Sequence, residues 1–123
     1  MLIDDNDDFV TLIEFYLKRD TDWQIFTAKN GKLGIAKAIK EQPDLILIDL
    51  AMPELDGIGV YQILQLEKAT RSIPAIFLTA MVGVEKMVSS KVGEDVEVFT
   101  KPMELTIFKE KINDLYDRYL PNF

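Results

Sequence analysis

Four short apolar runs each end on residues suited to phosphate or metal chemistry. Met1-Leu2-Ile3 leads into Asp4-Asp5, and Leu45-Ile46-Leu47-Ile48 leads into Asp49. Ala75-Ile76-Phe77-Leu78 leads into Thr79, and Val96-Glu97-Val98-Phe99-Thr100 leads into Lys101 and then Pro102. If the runs are parallel strands of one sheet, these polar residues meet at its carboxyl edge. Open α/β sheets build their sites there, in the crevice where strand order reverses. Three carboxylates, one hydroxyl and one ammonium then form a divalent-cation site beside a phosphoryl pocket.

The carboxylates set the chemistry. Two of them about 4 Å apart repel by roughly 4 kcal/mol at an effective dielectric of about 20. The cluster therefore needs a cation or raised pKa values. Magnesium fits, being a hard ion that prefers oxygen ligands and keeps several waters. Side chains alternate along a strand, so Asp4 and Asp5 reach one crevice only if the turn after the strand redirects one of them. Asp7 and Asp8 read as a solvated turn and helix cap. Asp49 ends a buried run, and a carboxylate there can attack phosphorus to form an acyl phosphate. Phosphoryl transfer depends on positioning and charge neutralisation. Lys101 can pair with one phosphoryl oxygen, and the Thr79 hydroxyl can donate to another.

The elements that must position these groups alternate strand and helix throughout, which reads as a parallel sheet with helices on both faces. A helix is expected from Asp7 to Arg19, with Phe9, Leu12, Ile13, Tyr16 and Leu17 at helical spacing and Asn6 or Asp7 as cap. A second strand is expected over Trp23–Thr27. Asn30-Gly31 opens a helix through Lys40, and Pro43 closes the connection. Pro53 and Gly57 mark the segment 51–57 as a loop, followed by a helix to about Glu67. Pro74 begins the fourth strand. A weaker helix covers Val84–Lys91, where β-branched residues and serines lower propensity. The last helix, Glu104 to about Tyr119, places Leu105, Phe108, Ile112, Leu115 and Tyr119 on one stripe, and Pro121 stops it. The third and fourth strands are nearly continuous apolar runs, as strands buried on both faces require. Only three apolar residues precede Asp4, which is short for a central strand.

Composition narrows the function classes. The chain has 123 residues, of which 48% are hydrophobic, enough for one compact domain spanning 1–123. No apolar stretch approaches the roughly 20 residues of a membrane span, and no signal-peptide pattern is visible. Cysteine is absent, which excludes disulfides and thiolate catalysis and suits the cytoplasm. Histidine is absent too, removing the usual general base and any phosphohistidine on this chain. A net charge of -7 argues against direct nucleic-acid binding, which needs a basic footprint.

The joint order of acidic pair, Asp, Thr and Lys-Pro resembles a response-regulator receiver domain of two-component signalling. The resemblance covers essentially the whole chain. It rests on Ile3-Asp4-Asp5-Asn6, Asp49-Leu50-Ala51-Met52-Pro53 with Asp56-Gly57, Thr79-Ala80 and Lys101-Pro102. It implies a flavodoxin-like fold, a doubly wound five-stranded parallel sheet of order 2-1-3-4-5 with five helices on two faces. It implies Asp49 as phosphoacceptor, with Thr79 and Lys101 binding the phosphoryl group. Magnesium would be ligated by Asp5, Asp49 and the backbone carbonyl of Ala51, with Asp4 helping through water. The donor would be a sensor histidine kinase or a histidine phosphotransfer protein, and an unidentified downstream protein would read the result. A cis peptide before Pro102 is common in the family.

Two departures from the family pattern stand out. The usual Tyr or Phe three residues before the lysine is Val98 here, and Phe99 faces the opposite side of its strand. Gly93 lies one residue further from Lys101 than is typical. Ala51 and Met81, each two residues beyond a site residue, offer no group to orient water, so slow self-hydrolysis is expected. Other functions weighed against the switch are a phosphate-independent interaction module and a magnesium-dependent aspartyl-phosphate phosphohydrolase. The phosphohydrolase signature has a second Asp two residues after the nucleophile, where Ala51 stands. A flavin binder is disfavoured because no Gly/Ser/Thr-rich loop follows the first strand. The chain is expected to be a stand-alone receiver or part of a larger protein, and not an enzyme.

Overall fold

The computed structural model describes residues 1–101 and 104–119. The cis peptide expected before Pro102, the stop at Pro121 and the side-chain stripe positions of Leu105, Leu115 and Tyr119 lie outside what is described. Strands and helices alternate as β1 (Leu2–Ile3), α1 (Asp7–Asp20), β2 (Thr27–Ala28), α2 (Gly31–Glu41), β3 (Ile46–Asp49), α3 (Gly57–Leu66), β4 (Ala75–Thr79), α4 (Glu85–Val92), β5 (Glu97–Thr100) and α5 (Leu105–Tyr119). The strands are all parallel, in the order β2-β1-β3-β4-β5. This is the doubly wound, flavodoxin-like sheet, with its order reversing between β1 and β3.

Alternation along each strand divides the core between two faces. Ile3, Ile46, Ile48 and Phe77 pack with Ala38 of α2, Val60 and Leu64 of α3 and Val88 of α4. Leu2, Leu47, Ile76, Leu78 and Phe99 pack with Ile13 and Leu17 of α1 and with Phe108 and Ile112 of α5. β1 is held by burial more than by its short ladder. Leu2 and Ile3 are both buried, and burying such a side chain contributes about 1.5–3 kcal/mol. Gly34 brings α2 close onto β1, since a Cβ there would overlap the Ile3 side chain.

The second strand is shorter than expected. Only Thr27–Ala28 is strand, because its sole neighbour β1 offers Leu2 and Ile3 alone as ladder partners. The side-chain alternation of the preceding segment survives without the ladder. Trp23 and Ile25 turn inward against the α1/α5 core, and Trp23 stacks on Tyr116 at 5.0 Å between ring centroids.

Helix starts follow local hydrogen bonding. Asn6, Asn30 and Asp56 accept from the backbone N–H of Phe9, Leu33 and Gly59. By contrast α4 starts at Val84 with no side-chain cap. The Ser89 and Ser90 hydroxyls donate to the carbonyls of Lys86 and Met87 inside it, a competition that weakens helices.

Candidate phosphoryl and metal site

Each candidate side chain is delivered by the end of a strand. Asp49 is the last residue of β3 and Thr79 the last of β4, while Asp4 and Lys101 follow β1 and β5 directly. Asp4 is fully buried at the head of the turn and Asp5 is exposed, yet the turn brings both to the crevice. One carboxylate oxygen from each of Asp4, Asp5 and Asp49 lies within 4.8 Å of the others. The Asp4 carboxylate is fixed from two sides. Its Oδ1 accepts from the Asn6 N–H at 2.9 Å, and its Oδ2 pairs with Lys101 Nζ at 2.6 Å.

Lys101 spans the cluster. Besides Asp4 it reaches Asp49 Oδ1 at 3.6 Å, and its Nζ stands 4.2 Å from the centroid of the Phe9 ring. An ammonium over an aromatic face is held electrostatically. The backbone ties the same corner, because the Lys101 N–H donates to the Thr79 carbonyl at 2.6 Å. Thr79 is fully buried. Its Oγ1 accepts from the Met81 N–H at 3.0 Å, so the hydroxyl hydrogen can point to another acceptor. The backbone behind Asp49 is also crowded. A Cβ at Gly57 would overlap the Asp49 carbonyl oxygen, so glycine is what lets α3 start against the end of β3.

Asp49 carries the electrostatic burden of the site. Burial raises its pKa, Asp4 raises it further, Lys101 lowers it, and the result is pushed up to about 6 from 3.8. The folded carboxyl thus holds its proton more tightly than the unfolded one. Its stabilising contribution is complete below the unfolded pKa near 4 and is lost as pH rises through the folded value near 6. Roughly two pKa units correspond to about 3 kcal/mol. Metal-free Asp49→Asn should therefore gain stability relative to the parent between pH 4 and 7, by about 3 kcal/mol. Urea unfolding of both proteins in chelator reads the difference. A gap that does not change with pH would show that the carboxylate is relieved at no such cost.

The structure brings Asp4, Asp5, Asp49 and Lys101 together, with Thr79 tied to the same corner, and Ala51 follows in the exposed loop after β3. Two residues of the site have a role there that the sequence does not signal. Phe9 counted only as one of the apolar positions of α1, and nothing in its spacing signals a ring beneath Lys101. Gly57 marked a loop, but its contact with the Asp49 carbonyl has no sequence signature of its own.

A protein-family model described as the response regulator receiver domain matches residues 1–113. The chain belongs to the response-regulator receiver family. The receiver is 35% identical over 103 residues to the alkaline phosphatase synthesis transcriptional regulatory protein PhoP of Bacillus subtilis, covering 83% of this chain and 41% of PhoP. Among solved structures, the signal receiver domain of a histidine kinase from Syntrophus aciditrophicus superposes with a TM-score of 0.82 at 25% identity, over 99% of this chain and 92% of that one. Response regulator TrrA of Thermotoga maritima, in complex with Mg2+-BeF, superposes with a TM-score of 0.78 at 26% identity, over 93% of this chain and 95% of that one. The receiver spans less than half the length of curated relatives such as PhoP. No helix among the described residues is long and apolar enough to cross a membrane.

Proposed function

We propose that this receiver accepts a phosphoryl group on Asp49 in a magnesium-dependent reaction and thereby changes the proteins it binds. The donor is a phosphohistidine on a sensor histidine kinase or a histidine phosphotransfer protein. The observation that carries the reading is the convergence of a buried Asp49 carboxylate with Asp4, Asp5 and Lys101 at one sheet edge. A carboxylate oxygen of Asp49 attacks phosphorus. The new O–P bond forms as the donor's N–P bond breaks, and that electron pair stays on the imidazole nitrogen. Lys101 Nζ, already 3.6 Å from Asp49 Oδ1, pairs with a phosphoryl oxygen, and the Thr79 hydroxyl donates to another.

The donor set fits magnesium. Asp5, Asp49 and the Ala51 carbonyl would hold the ion, with Asp4 behind them, all hard oxygen ligands. When bound, the ion would neutralise carboxylates of which Asp49 already has its pKa raised, by burial first and by Asp4 second, and would offset the charge of the incoming phosphoryl group. That TrrA, a similar structure, is in complex with Mg2+-BeF supports magnesium as the ion. We read the receiver as a switch rather than an enzyme, since Ala51 and Met81 supply nothing to activate water. With a net charge of -7, its output is to a protein partner rather than to nucleic acid.

Acetyl phosphate with magnesium, followed by intact-mass detection, tests the proposal. A single stable phosphoryl adduct is expected. Turnover of added phosphoesters would make the chain a phosphohydrolase, and no adduct would make it a phosphate-independent module.

The conformational response should bypass the centre of β5. Val98 lies opposite Phe77 in the sheet and packs in the α2–α4 core, while Phe99 is buried on the other face. Val98 has one stiff torsion and no ring, so it cannot respond to a shift of Thr79 by a large rotamer change. Segment 81–91 is the better conductor, because α4 has no side-chain cap at its N-terminus and buries only Val88, the profile of a low-stability unit. Amide exchange with and without beryllofluoride should change most over 81–91. Changes centred on Val98 and α5, with 81–91 silent, would refute this route.

A further inference from the structure

The turn between β1 and α1 closes a circuit of contacts on Lys101. Asp4 Oδ1 accepts from the Asn6 N–H at 2.9 Å. The Asn6 side chain in turn accepts from the Phe9 N–H at 3.1 Å, which fixes Phe9 in the first turn of α1. The Phe9 ring lies under the Lys101 ammonium, 4.2 Å from centroid to Nζ. Lys101 completes the circuit by pairing with Asp4 Oδ2 at 2.6 Å. One short segment thus takes hold of a side chain 97 positions from Asp4 in sequence.

The ring differs in kind from the other partners of the ammonium. Asp4 and Asp49 attract it as hydrogen-bond acceptors, which are directional. An aromatic face attracts a cation through its quadrupole and takes no particular N–H. The three N–H donors of the lysine therefore stay available for Asp4, Asp49 and an incoming phosphoryl oxygen. Packing alone does not call for a ring here. Phe9 borders a core to which α1 otherwise contributes the aliphatic Val10, Ile13 and Leu17, and a leucine would serve there as well.

We propose that Phe9 is a positioning residue for phosphoryl transfer. Its ring holds the Lys101 ammonium beside Asp49 and lets it slide from Asp49 Oδ1, 3.6 Å away, to a phosphoryl oxygen without leaving the site. A lysine released from the ring regains rotamer freedom, and a charge already in place stabilises transfer better than one that must be recruited. The proposal rests on the phosphoacceptor reading of Asp49.

The test is the rate of adduct formation from acetyl phosphate and magnesium, read by intact mass, in variants at position 9. Phe9→Leu keeps an apolar side chain but has no π face, and should slow labelling roughly ten-fold, the scale of a cation–π contact in a largely desolvated site. Phe9→Tyr keeps the face and should label within about two-fold of the parent. A ring-fluorinated phenylalanine at position 9 keeps the shape of the ring but drains charge from its face, so it should label as slowly as Phe9→Leu. The Lys101 ε-methylene protons give a second readout. They should resonate upfield in the parent and in Phe9→Tyr, and return to the ordinary lysine position in Phe9→Leu. Equal labelling rates for parent, leucine and fluorinated variants would overturn the role of Phe9 and leave the phosphoacceptor reading standing. So would a tyrosine variant as slow as the leucine one, or Lys101 proton shifts that do not depend on the ring. No adduct on the parent itself would overturn the phosphoacceptor reading, and the role of Phe9 in transfer with it.

Discussion

Asp49→Asn is expected to abolish the phosphoryl adduct completely, from stoichiometric labelling to none, without loss of the fold. The amide keeps the shape of the carboxyl but lacks a nucleophilic oxygen anion. Asp4 cannot substitute, because both of its oxygens are engaged, by the Asn6 N–H and by Lys101 Nζ. Asp5 is exposed, and Lys101, the cation that would neutralise an incoming phosphoryl group, pairs instead with Asp4 and Asp49. The readout is intact mass after acetyl phosphate and magnesium, followed by peptide mapping. An adduct that persists in Asp49→Asn, mapped to Asp4 or Asp5, would show that the nucleophile is misassigned.

Much of this site is legible in the sequence because its parts sit at the ends of apolar runs. A run such as Leu45–Ile48 has to be buried, so the polar residue that ends it marks the sheet edge. The same logic finds Thr79 and Lys101. The strand order came from the family resemblance, since apolar runs reveal strands but not their neighbours. The alternation of Trp23 and Ile25 suggests a longer second strand than forms, because both side chains do turn inward. Side-chain alternation reports which face is buried, whereas a strand also needs a backbone partner, and β1 provides two residues of it. The unequal fates of Asp4 and Asp5 were not legible either. They depend on a turn whose course is set by the Asn6 N–H bonding back to Asp4.

Lys101→Met should be the most destabilising change at the site, and magnesium should reverse much of it. Lys101 is the only cation within ion-pair distance of Asp4 or Asp49 among the described residues. Its side chain is 14% exposed and that of Asp4 is 0% exposed, so Met leaves a buried carboxylate beside a second one with no counter-charge. Breaking a buried pair from one side costs about 3–5 kcal/mol. Methionine retains much of the packing against Phe9, which limits the loss to electrostatics. A ligand at about 100 times its dissociation constant stabilises the native state by roughly 2.7 kcal/mol. The parent already has Lys101 as an internal counter-ion, so the gain from magnesium should be larger in the variant, where the ion alone offsets the carboxylates. Urea midpoints in chelator and in saturating magnesium, for parent and variant, give four values from which this coupling follows. Equal midpoints for the two proteins in chelator would show that Asp4 does not depend on Lys101. Equal midpoints with and without saturating magnesium would remove the metal site altogether.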